Sequence, residues 1–363
     1  MVKNYICFLC KLDYKQGMKF IQTFLVLNVL SVFAYSNAFA QDNSSLEEVV
    51  NNNIKSKKDR SYFTLTVEND LFGAGTDQNY TSGIRLSWFE LGKKPPGVTE
   101  NLEKIFPWLE INDVTSVSYS IGQGMYTPDR IDKVAQDDSD RPWAAFLYGS
   151  MAMVTIKDNY VDDYEVTLGV IGPLALGEEG QKGVHKLIES PEPKGWDNQL
   201  KNEPGLILAW QRRWPEALSA ELGNYVAAIE PHFGFSLGNV YTYANTGGIV
   251  KFSHKNNRLQ DKPLLVKPSM PGTGYFPTPA KFDWQLFAGL EGRAIARNIF
   301  LDGNTFADSH SIDKEYFVLD ASAGVSFTVG NARISYTTVY RTKEFEDQNK
   351  DSIFGAVSVG YNF

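Results

Sequence analysis

After its first forty residues the sequence has no apolar run long enough to form a membrane-spanning helix, which needs about twenty consecutive apolar residues. The sequence is also almost without cysteine: there are two, Cys7 and Cys10, and both lie near the N-terminus. If that end is removed on export, the mature chain has no disulfide and no thiolate metal site. A membrane anchor, if there is one, must therefore be a closed β-barrel.

Positively charged residues are also fewer than negatively charged ones. The formal net charge is −8, and no basic cluster is interleaved with aromatic residues, so we expect no nucleic-acid partner. Aromatic residues, by contrast, make up 13% of the chain. That fraction suits the aromatic girdles of a membrane barrel, although a soluble all-β protein could share it.

An export signal is recognisable in residues 1–40, with the true start expected at Met18. Its apolar stretch is too short to remain as a spanning helix, and the small residues of the segment 38–40 supply a cleavage site. Residues 41–60 form a polar N-terminal lead-in that we expect to be mobile. We assign residues 61–363 to a single barrel domain.

Two-residue alternation begins near Phe63 and recurs along the chain. The final run, 352–363, has mainly bulky apolar residues in one phase and small or polar ones in the other, as a strand between lipid and a polar lumen requires. In another run Arg333 and Arg341 share a phase that should face the lumen, because arginine is costly against lipid. The predicted strands cover residues 61–70, 80–90, 115–124, 143–156, 160–171, 204–214, 223–238, 241–254, 281–301, 314–328, 330–343 and 352–363.

These strands predict an all-β fold, a transmembrane antiparallel β-barrel of about twelve strands of the outer-membrane type. An even number of strands puts both termini in the periplasm, so loops 71–79, 125–142 and 171–203 are expected on the outside. The segment 91–114 should then be a short periplasmic turn, yet it is long, and this scheme does not explain it. A soluble β-sandwich or a secreted barrel is the alternative; the export signal and the long strands favour the bacterial outer membrane.

The third external loop contains a predicted short helix, on which Gln181 and His185 lie four residues apart and share a face. Val184, Leu187 and Ile188 form an apolar stripe that could pack on the barrel wall or dip into lipid. A lone histidine on a surface loop is usually a solvated side chain, so this spacing alone does not make it catalytic.

The first external hairpin gathers oxygen-bearing side chains, from Asn69 and Asp70 to Thr81. Carboxylate, amide and hydroxyl oxygens are the ligands that calcium prefers, but the same residue types also simply make turns. Asn69 shares the phase of the lipid-facing residues of its strand. An amide there is expensive unless it is used or a bulge intervenes.

Two further patterns look functional and are better explained as structural. The segment Gly234–Gly238 matches the G-x-S-x-G pattern of a nucleophile elbow, but it lies within a long strand with no helix after it, so we interpret Ser236 as structural. The acidic segment Asp137–Asp140 lacks the spacing of an EF-hand loop and is expected to be solvated.

An ordered set of short motifs runs through most of the exported chain. The motifs are Val67-Glu68-Asn69-Asp70, Asn79-Tyr80-Thr81-Ser82-Gly83, Gly122-Gln123-Gly124-Met125-Tyr126-Thr127-Pro128, Asp140-Arg141-Pro142-Trp143-Ala144, Gly169-Val170-Ile171-Gly172-Pro173, Gln181-x-x-x-His185 and Gly195-Trp196-Asp197-Asn198-Gln199. In these motifs the chain resembles the outer-membrane lipid A 3'-O-deacylase family. The resemblance implies a twelve-stranded barrel in the outer membrane, calcium dependence and a site on the outer rim.

The resemblance also implies catalytic roles for particular residues. His185 matches the family's general base, and Gln181 matches a neighbouring residue of the site. Lys133 falls where a lysine helps to stabilise the oxyanion, with Arg130 as the competing candidate if the loop aligns differently. Thr81 is the expected substrate-binding residue.

For the metal, the resemblance assigns calcium to Asn69 and Asp70. The chain departs from the family at one position: a site glutamate is expected six residues after the histidine, and this sequence has Pro191 there. Glu189 and Glu192 are the nearest carboxylates that could replace it.

The function implied is that of an outer-membrane esterase. It would hydrolyse the 3'-O-linked acyloxyacyl chain of lipid A with a histidine-activated water, while calcium and a lysine stabilise the oxyanion. Its expected partners are lipid A or lipopolysaccharide in the outer leaflet and, during insertion, the barrel-assembly machinery. Two alternatives remain: a serine-type outer-membrane phospholipase, which needs a serine beside the histidine, and a non-catalytic porin-like barrel, which predicts an open lumen.

Overall fold

The computed structural model describes residues 45–56, 61–73, 79–97, 111–255, 260–266, 274 and 282–363. The signal segment 1–40 lies outside these ranges, and so do the side chains of residues 79–81. The strands are β1 (Ser61–Asn69), β2 (Asn79–Glu90), β3 (Ser116–Thr127), β4 (Ala144–Lys157), β5 (Tyr160–Ile171), β6 (Glu203–Arg213), β7 (Leu218–Leu222), β8 (Tyr225–Gly238), β9 (Tyr241–His254), β10 (Phe282–Asn298), β11 (Phe317–Val329), β12 (Ala332–Arg341) and β13 (Ser352–Asn362). The α-helices are α1 (Leu46–Ser56), α2 (Gly177–Leu187) and α3 (Ile299–Asp302), and the 3₁₀ turns are Asp70–Phe72, Pro173–Ala175 and Trp196–Asn198.

The strands form one antiparallel sheet that closes on itself. β13 pairs with β1, and β6 pairs with β8 where the sheet closes. β6 and β7 both pair with β8, one at each of its ends, so together they fill a single position of the barrel. Pro215, which has no N–H for a sheet ladder, lies between them. The thirteen strands therefore make a closed barrel of twelve positions, and the predicted fold class is confirmed.

Alternating burial identifies the two faces of the wall. In β3, Tyr119 and Ile121 are exposed and face lipid, whereas their neighbours in the other phase face the lumen. Arg333 and Arg341 are both buried, as predicted for the lumen phase. The Arg341 guanidinium donates from Nε to Asp320 Oδ1 at 2.8 Å.

We call the end of the barrel at which β1 ends the upper rim, and the opposite end the lower rim. The C-terminal strand finishes at the lower rim, where Phe363 N–H donates to Ser61 O at 2.8 Å. Trp88 stacks on Phe363 there, with ring centroids 5.8 Å apart, as in an interfacial aromatic girdle. The connections at the upper rim are 70–78, 128–143, 172–202, 239–240, 299–316 and 342–351.

The lumen is filled in the part that the structure describes. Segment 260–266, from the connection between β9 and β10, enters it and reaches the level of Glu68 near the upper rim. Val266 N–H donates to Glu68 Oε1 at 2.6 Å, and the Tyr148 hydroxyl donates to Val266 O at 2.6 Å. Aromatic side chains pack beside this segment, among them Phe146 and Phe300.

The polar lead-in, which the sequence led us to expect as mobile, contains helix α1. Among the helix side chains that the structure describes, Val50 is buried, and it packs with Tyr62, Phe89 and Val114 at the lower end of the lumen. The long segment 91–114 thus contributes to a cluster that holds α1 in place. None of the helices in the described ranges is long and apolar enough to cross a membrane.

Candidate functional site

Helix α2 lies against the outer wall of the barrel near the upper rim. A Cβ on Gly177 would overlap Ala145, and a Cβ on Gly180 would lie 3.2 Å from Gln123 Oε1 and 3.6 Å from Met125 Sδ. Gln123 and Met125 belong to the lipid-facing phase of β3, and Met125 pairs with Ala145 of β4. The two glycines therefore let the helix backbone approach the wall closely.

The start of α2 is fixed by the wall itself. Gln123 Nε2 donates to Ala175 O at 2.6 Å and to Leu176 O at 3.1 Å. Leu176, the residue that caps the helix, has φ 57, in the left-handed region that non-glycine residues rarely adopt. Such strain persists only where the surroundings hold it, and here the Gln123 amide does so.

The end of α2 folds the chain back under His185. Glu189 also has φ 57, and Ser190 N–H donates to His185 O at 2.9 Å, which closes the helix in a Schellman-type turn. The turn brings Pro191 O to 2.6 Å from His185 Nδ1. A carbonyl can only accept, so Nδ1 carries the hydrogen and Nε2 of the neutral ring carries the lone pair. Pro191 therefore contacts the imidazole through its backbone, at the position where a glutamate was expected.

Gln181 is buried between α2 and the segment that follows it. Its Oε1 accepts from Trp196 Nε1 at 2.8 Å. Because an indole N–H only donates, this contact also fixes which end of the amide is nitrogen. Gln181 Nε2 is buried without an acceptor among the described residues. Trp196 is held in turn by Trp143, whose ring centroid is 5.1 Å away.

The direction of α2 carries His185 towards β2 and β1. In one row of lipid-facing positions, Ala145 pairs with Met125, Met125 with Ser82 and Ser82 with Asn69. The helix passes from β4 at Gly177 to β3 at Gly180, and His185 is five residues further, about 7.5 Å at 1.5 Å per residue. Strands are about 4.8 Å apart, so the helix runs across the wall in the direction of the strands that bear Ser82 and Asn69.

A second element lies on the outer wall from the other side. After Asn69 the chain turns outward, and the Tyr336 hydroxyl donates to Phe72 O at 2.7 Å on the lipid-facing side of β12. Asn69 Oδ1 accepts from Leu71 N–H at 2.8 Å and so caps the turn. Asp70 is buried in it. The predicted amide in the lipid-facing phase is thus used to make an outward turn.

Four of the predicted site residues lie at the upper rim, two on helix α2 and two at the outward turn. We call His185, Gln181, Asn69 and Asp70 the outer-wall site: all four lie at the upper rim, on elements folded against the lipid-facing side. Thr81 lies in β2, but its side chain is outside the described residues. A register shift between Tyr80 and Ser82 leaves its backbone at a bulge.

Lys133 lies in the neighbouring loop, 128–143, which is clamped to the segment after α2. Lys194 N–H donates to Ile131 O at 2.8 Å, and Asn198 Nδ2 donates to Val134 O at 2.6 Å. The lysine side chain itself is half exposed and lies 3.3 Å from Asp137 Oδ2.

The charged groups around Lys133 are engaged on the surface of that loop. Hydrogen bonds from Ser139, with a smaller contribution from Lys133, lower the pKa of the Asp137 carboxyl. Arg130, the competing candidate, donates from Nε to Asp132 at 2.9 Å, and both of these side chains are exposed. Exposed pairs of this kind are weak, so they leave either cation able to change partner.

Two described side chains of the outer-wall site have oxygen atoms that could act as calcium ligands. The Asp70 carboxylate and the Asn69 amide oxygen are hard donors of the kind calcium takes. In the described ranges no group of three His, Cys, Asp or Glu side chains could hold a metal.

Sequence reasoning missed the residues that position the site. Trp196 orients Gln181, Pro191 O accepts from His185, and Gln123 holds the start of α2. The motifs around them were visible, but their contacts span 6 to 53 positions and leave no local pattern. Ser236, interpreted as structural, is fully buried in β8 and donates to Tyr241 O at 3.3 Å.

Comparison with known proteins places this barrel among outer membrane proteins. The sequence matches the family described as "Outer membrane protein LpxR" over residues 25–363. The chain belongs to the LpxR outer membrane protein family. This membership confirms the resemblance and the outer-membrane location, and it supports a role in lipid A modification.

A solved structure agrees with the fold of this LpxR-family barrel. LpxR from Salmonella typhimurium is similar at a TM-score of 0.69 and 20% identity, over 83% of this chain and 100% of that one. The beta domain of the Bordetella autotransporter BrkA aligns over 84% of this chain and 99% of that one, at a TM-score of 0.40 and 10% identity. A comparison with curated protein sequences gives no significant match.

Proposed function

We propose that this LpxR-family barrel is a calcium-dependent esterase that removes the 3'-O-linked acyloxyacyl chain of lipid A in the outer leaflet. The observation that carries the proposal is the placement of His185. Its imidazole is buried on the lipid-facing wall, with Nδ1 held by the Pro191 carbonyl. A membrane-bound ester can reach a base on that wall without leaving the bilayer.

His185 acts as the general base. Nε2, the nitrogen with the lone pair, takes a proton from water as the oxygen attacks the ester carbonyl. The tetrahedral intermediate then collapses: the ester C–O bond breaks, the sugar oxygen leaves as an alkoxide and takes the proton held on His185 Nε2 to become a hydroxyl, and the acyl group is released as a carboxylic acid. The contact with Pro191 O keeps the ring in the required tautomer, and a backbone carbonyl does this without a glutamate.

Gln181 and Lys133 stabilise the negative charge that develops on the carbonyl oxygen. The Gln181 N–H₂ group is buried and has no acceptor among the described residues, whereas its oxygen is occupied by Trp196. A fixed donor in a low-dielectric site needs no reorganisation during the reaction. Lys133 reaches the site by giving up its exposed partner Asp137, which costs little.

Asn69 and Asp70 are the residues that would hold calcium. When bound, the cation supplies positive charge near the developing oxyanion. Asn69 and Asp70 hold their positions because the outward turn fixes them, through the cap on Leu71 N–H and the Tyr336 contact with Phe72 O. Thr81, in the bulge of β2, contacts the substrate.

Mass spectrometry of lipid A tests the reaction. Cells that express the chain should show lipid A that has lost one acyloxyacyl unit, and cells that express the His185→Ala variant should not. Chelation should stop the reaction in isolated membranes, and added calcium should restore it. An unchanged lipid A profile from the wild-type chain would overturn the proposal; inhibition by a serine-directed phosphonate would instead favour the phospholipase, and ion conductance in planar bilayers the porin.

A further inference from the structure

Helix α2 has two unlike flanks on either side of the face that packs on the wall. Gly177, Gln181 and His185 form the wall face. On one flank the side chains are apolar, and Leu187 at its end is 84% exposed. On the other flank Lys182 pairs with Glu178 at 2.8 Å and with Glu192 at 3.4 Å. The apolar flank consists of Leu176, Gly180, Val184 and Leu187.

The contacts of α2 show which flank points towards the middle of the membrane. Gly180, on the apolar flank, lies nearest to Gln123, which is two residues closer to the lower rim than Met125. The charged flank, with Lys182 and Lys186, therefore faces away from the lower rim. This arrangement is the one adopted by an amphipathic helix that lies in a membrane interface.

The outward turn continues the same apolar surface beyond His185. Leu71 and Phe72 are each 44% exposed, although they fold against the lipid-facing side of the wall. Below both elements, at the same wall, lies the exposed belt to which Ile121 belongs. The apolar flank of α2 and the turn are thus continuous with the surface that the barrel already presents to lipid.

We propose that the apolar flank of α2 and the turn 70–72 are seated in the acyl-chain layer of the outer leaflet, with the charged flank of α2 among the headgroups. The partner is the acyl region of a bilayer lipid. This seating goes beyond the proposed reaction and holds whether or not the chain hydrolyses an ester. It sets the depth of His185 at the boundary between headgroups and acyl chains, where apolar helix faces penetrate about 5–10 Å.

Residues 41–363 contain no cysteine, so single cysteines can be introduced and labelled specifically. Neighbouring positions on α2 then provide the test. A single cysteine at Leu187 or at Lys186 is labelled with a fluorophore, and the folded protein is placed in phosphatidylcholine vesicles. The lipids carry a nitroxide either on the acyl chain or on the headgroup. Ile121→Cys, in the exposed belt, calibrates a deep position, and Glu179→Cys calibrates the charged flank.

The acyl-chain nitroxide should quench the label at Leu187 several-fold more than the label at Lys186. The headgroup nitroxide should quench the label at Lys186 more than the label at Leu187. Leu71→Cys should resemble Leu187→Cys. Equal quenching of Leu187 and Lys186 by a water-soluble quencher, with Ile121 still protected, would overturn the proposal. The His185→Ala background can be used throughout, so a failure of the reaction leaves the measurement of depth intact.

Discussion

The lumen of the barrel and its outer-wall site both bury polar side chains, but they bury different kinds. In the lumen the groups are charged and face opposite charges: Arg213 lies 2.8 Å from Asp163 and 2.6 Å from Asp261. In the outer-wall site, Gln181 Oε1 accepts from an indole, His185 Nδ1 donates to a carbonyl, and Gln181 Nε2 has no acceptor among the described residues.

This difference distinguishes polar groups that stabilise the fold from polar groups that could take part in a reaction. A charge inside a membrane protein is by default a functional candidate, yet the lumen charges of this barrel are engaged with one another and with the segment 260–266. The outer-wall site instead lies outside, where lipid can approach. Changes in the lumen should therefore alter stability, and changes in the outer-wall site should alter activity.

The largest effect is expected from His185→Ala. Loss of the general base should lower kcat by roughly 10²–10⁴-fold, while the barrel still folds because α2 keeps its contacts through Gly177 and Gly180. The measurement is release of acyl chains from lipid A vesicles, with the heat-modifiable gel shift as the check on folding.

His232→Ala is the matched control for that prediction. His232 is the lumen counterpart, buried with Nε2 3.3 Å from Glu291 Oε2. Its loss should reduce stability and leave the activity of each folded molecule unchanged. Equal losses of activity in both variants would remove the distinction between the lumen and the outer-wall site.

The fold was predictable from the sequence because lumen and lipid impose a two-residue period on every strand. Arg333 and Arg341 could be assigned to the lumen from that period alone, and both are buried there. The placement of α2 was not predictable in the same way. Its apolar stripe was compatible with packing on the wall or with lipid, and only the contact of Gly180 with Gln123 distinguishes the two.

The residues of the site were found by resemblance, and their surroundings were not. The absence of a glutamate at Pro191 looked like a defect, because a sequence does not show that a backbone carbonyl will lie 2.6 Å from His185 Nδ1. The cause is the left-handed turn at Glu189. A glutamate in that conformation has no sequence signature, whereas a glycine there would have indicated the turn.

Arg213→Ala should have the next largest effect, on stability. Removal of the guanidinium leaves the buried carboxylates of Asp163 and Asp261 without their partner, which typically costs about 3–5 kcal/mol. The adjacent Arg212 pairs with Asp162 at 2.6 Å but is partly exposed, so Arg212→Ala should cost about 1 kcal/mol or less. Urea unfolding of both variants in lipid vesicles, followed by tryptophan fluorescence, gives the comparison. A similar cost for both would show that the lumen charges do not form a dry, coupled network.

Gln181→Glu should lower kcat by about 10²–10³-fold, the usual effect of losing an oxyanion donor. The substitution keeps an oxygen for the Trp196 N–H, removes the N–H₂ donor and places a carboxyl group beside the developing oxyanion. KM should change little, because the donor acts on charge that develops during the reaction. Trp196→Phe is the complementary variant, since it frees the amide to rotate and should reduce kcat less. Unchanged kcat in Gln181→Glu, with Trp196→Phe impaired, would make Gln181 a purely structural residue.

The smallest effect is expected from the exposed pair of Lys133 and Asp137, and the two halves of the pair should differ. Lys133→Ala and Asp137→Ala abolish the same 3.3 Å contact, so any contribution of that contact to stability is lost equally in both. If the lysine leaves Asp137 to face the oxyanion, only Lys133→Ala should lower kcat, by about tenfold, since a half-exposed cation acts through a high dielectric. Asp137→Ala should leave kcat unchanged or raise it slightly, because the lysine is then released. Initial rates on the same lipid A vesicles, with Arg130→Ala alongside, decide between the two cations: a loss in Arg130→Ala and none in Lys133→Ala would assign the role to the arginine.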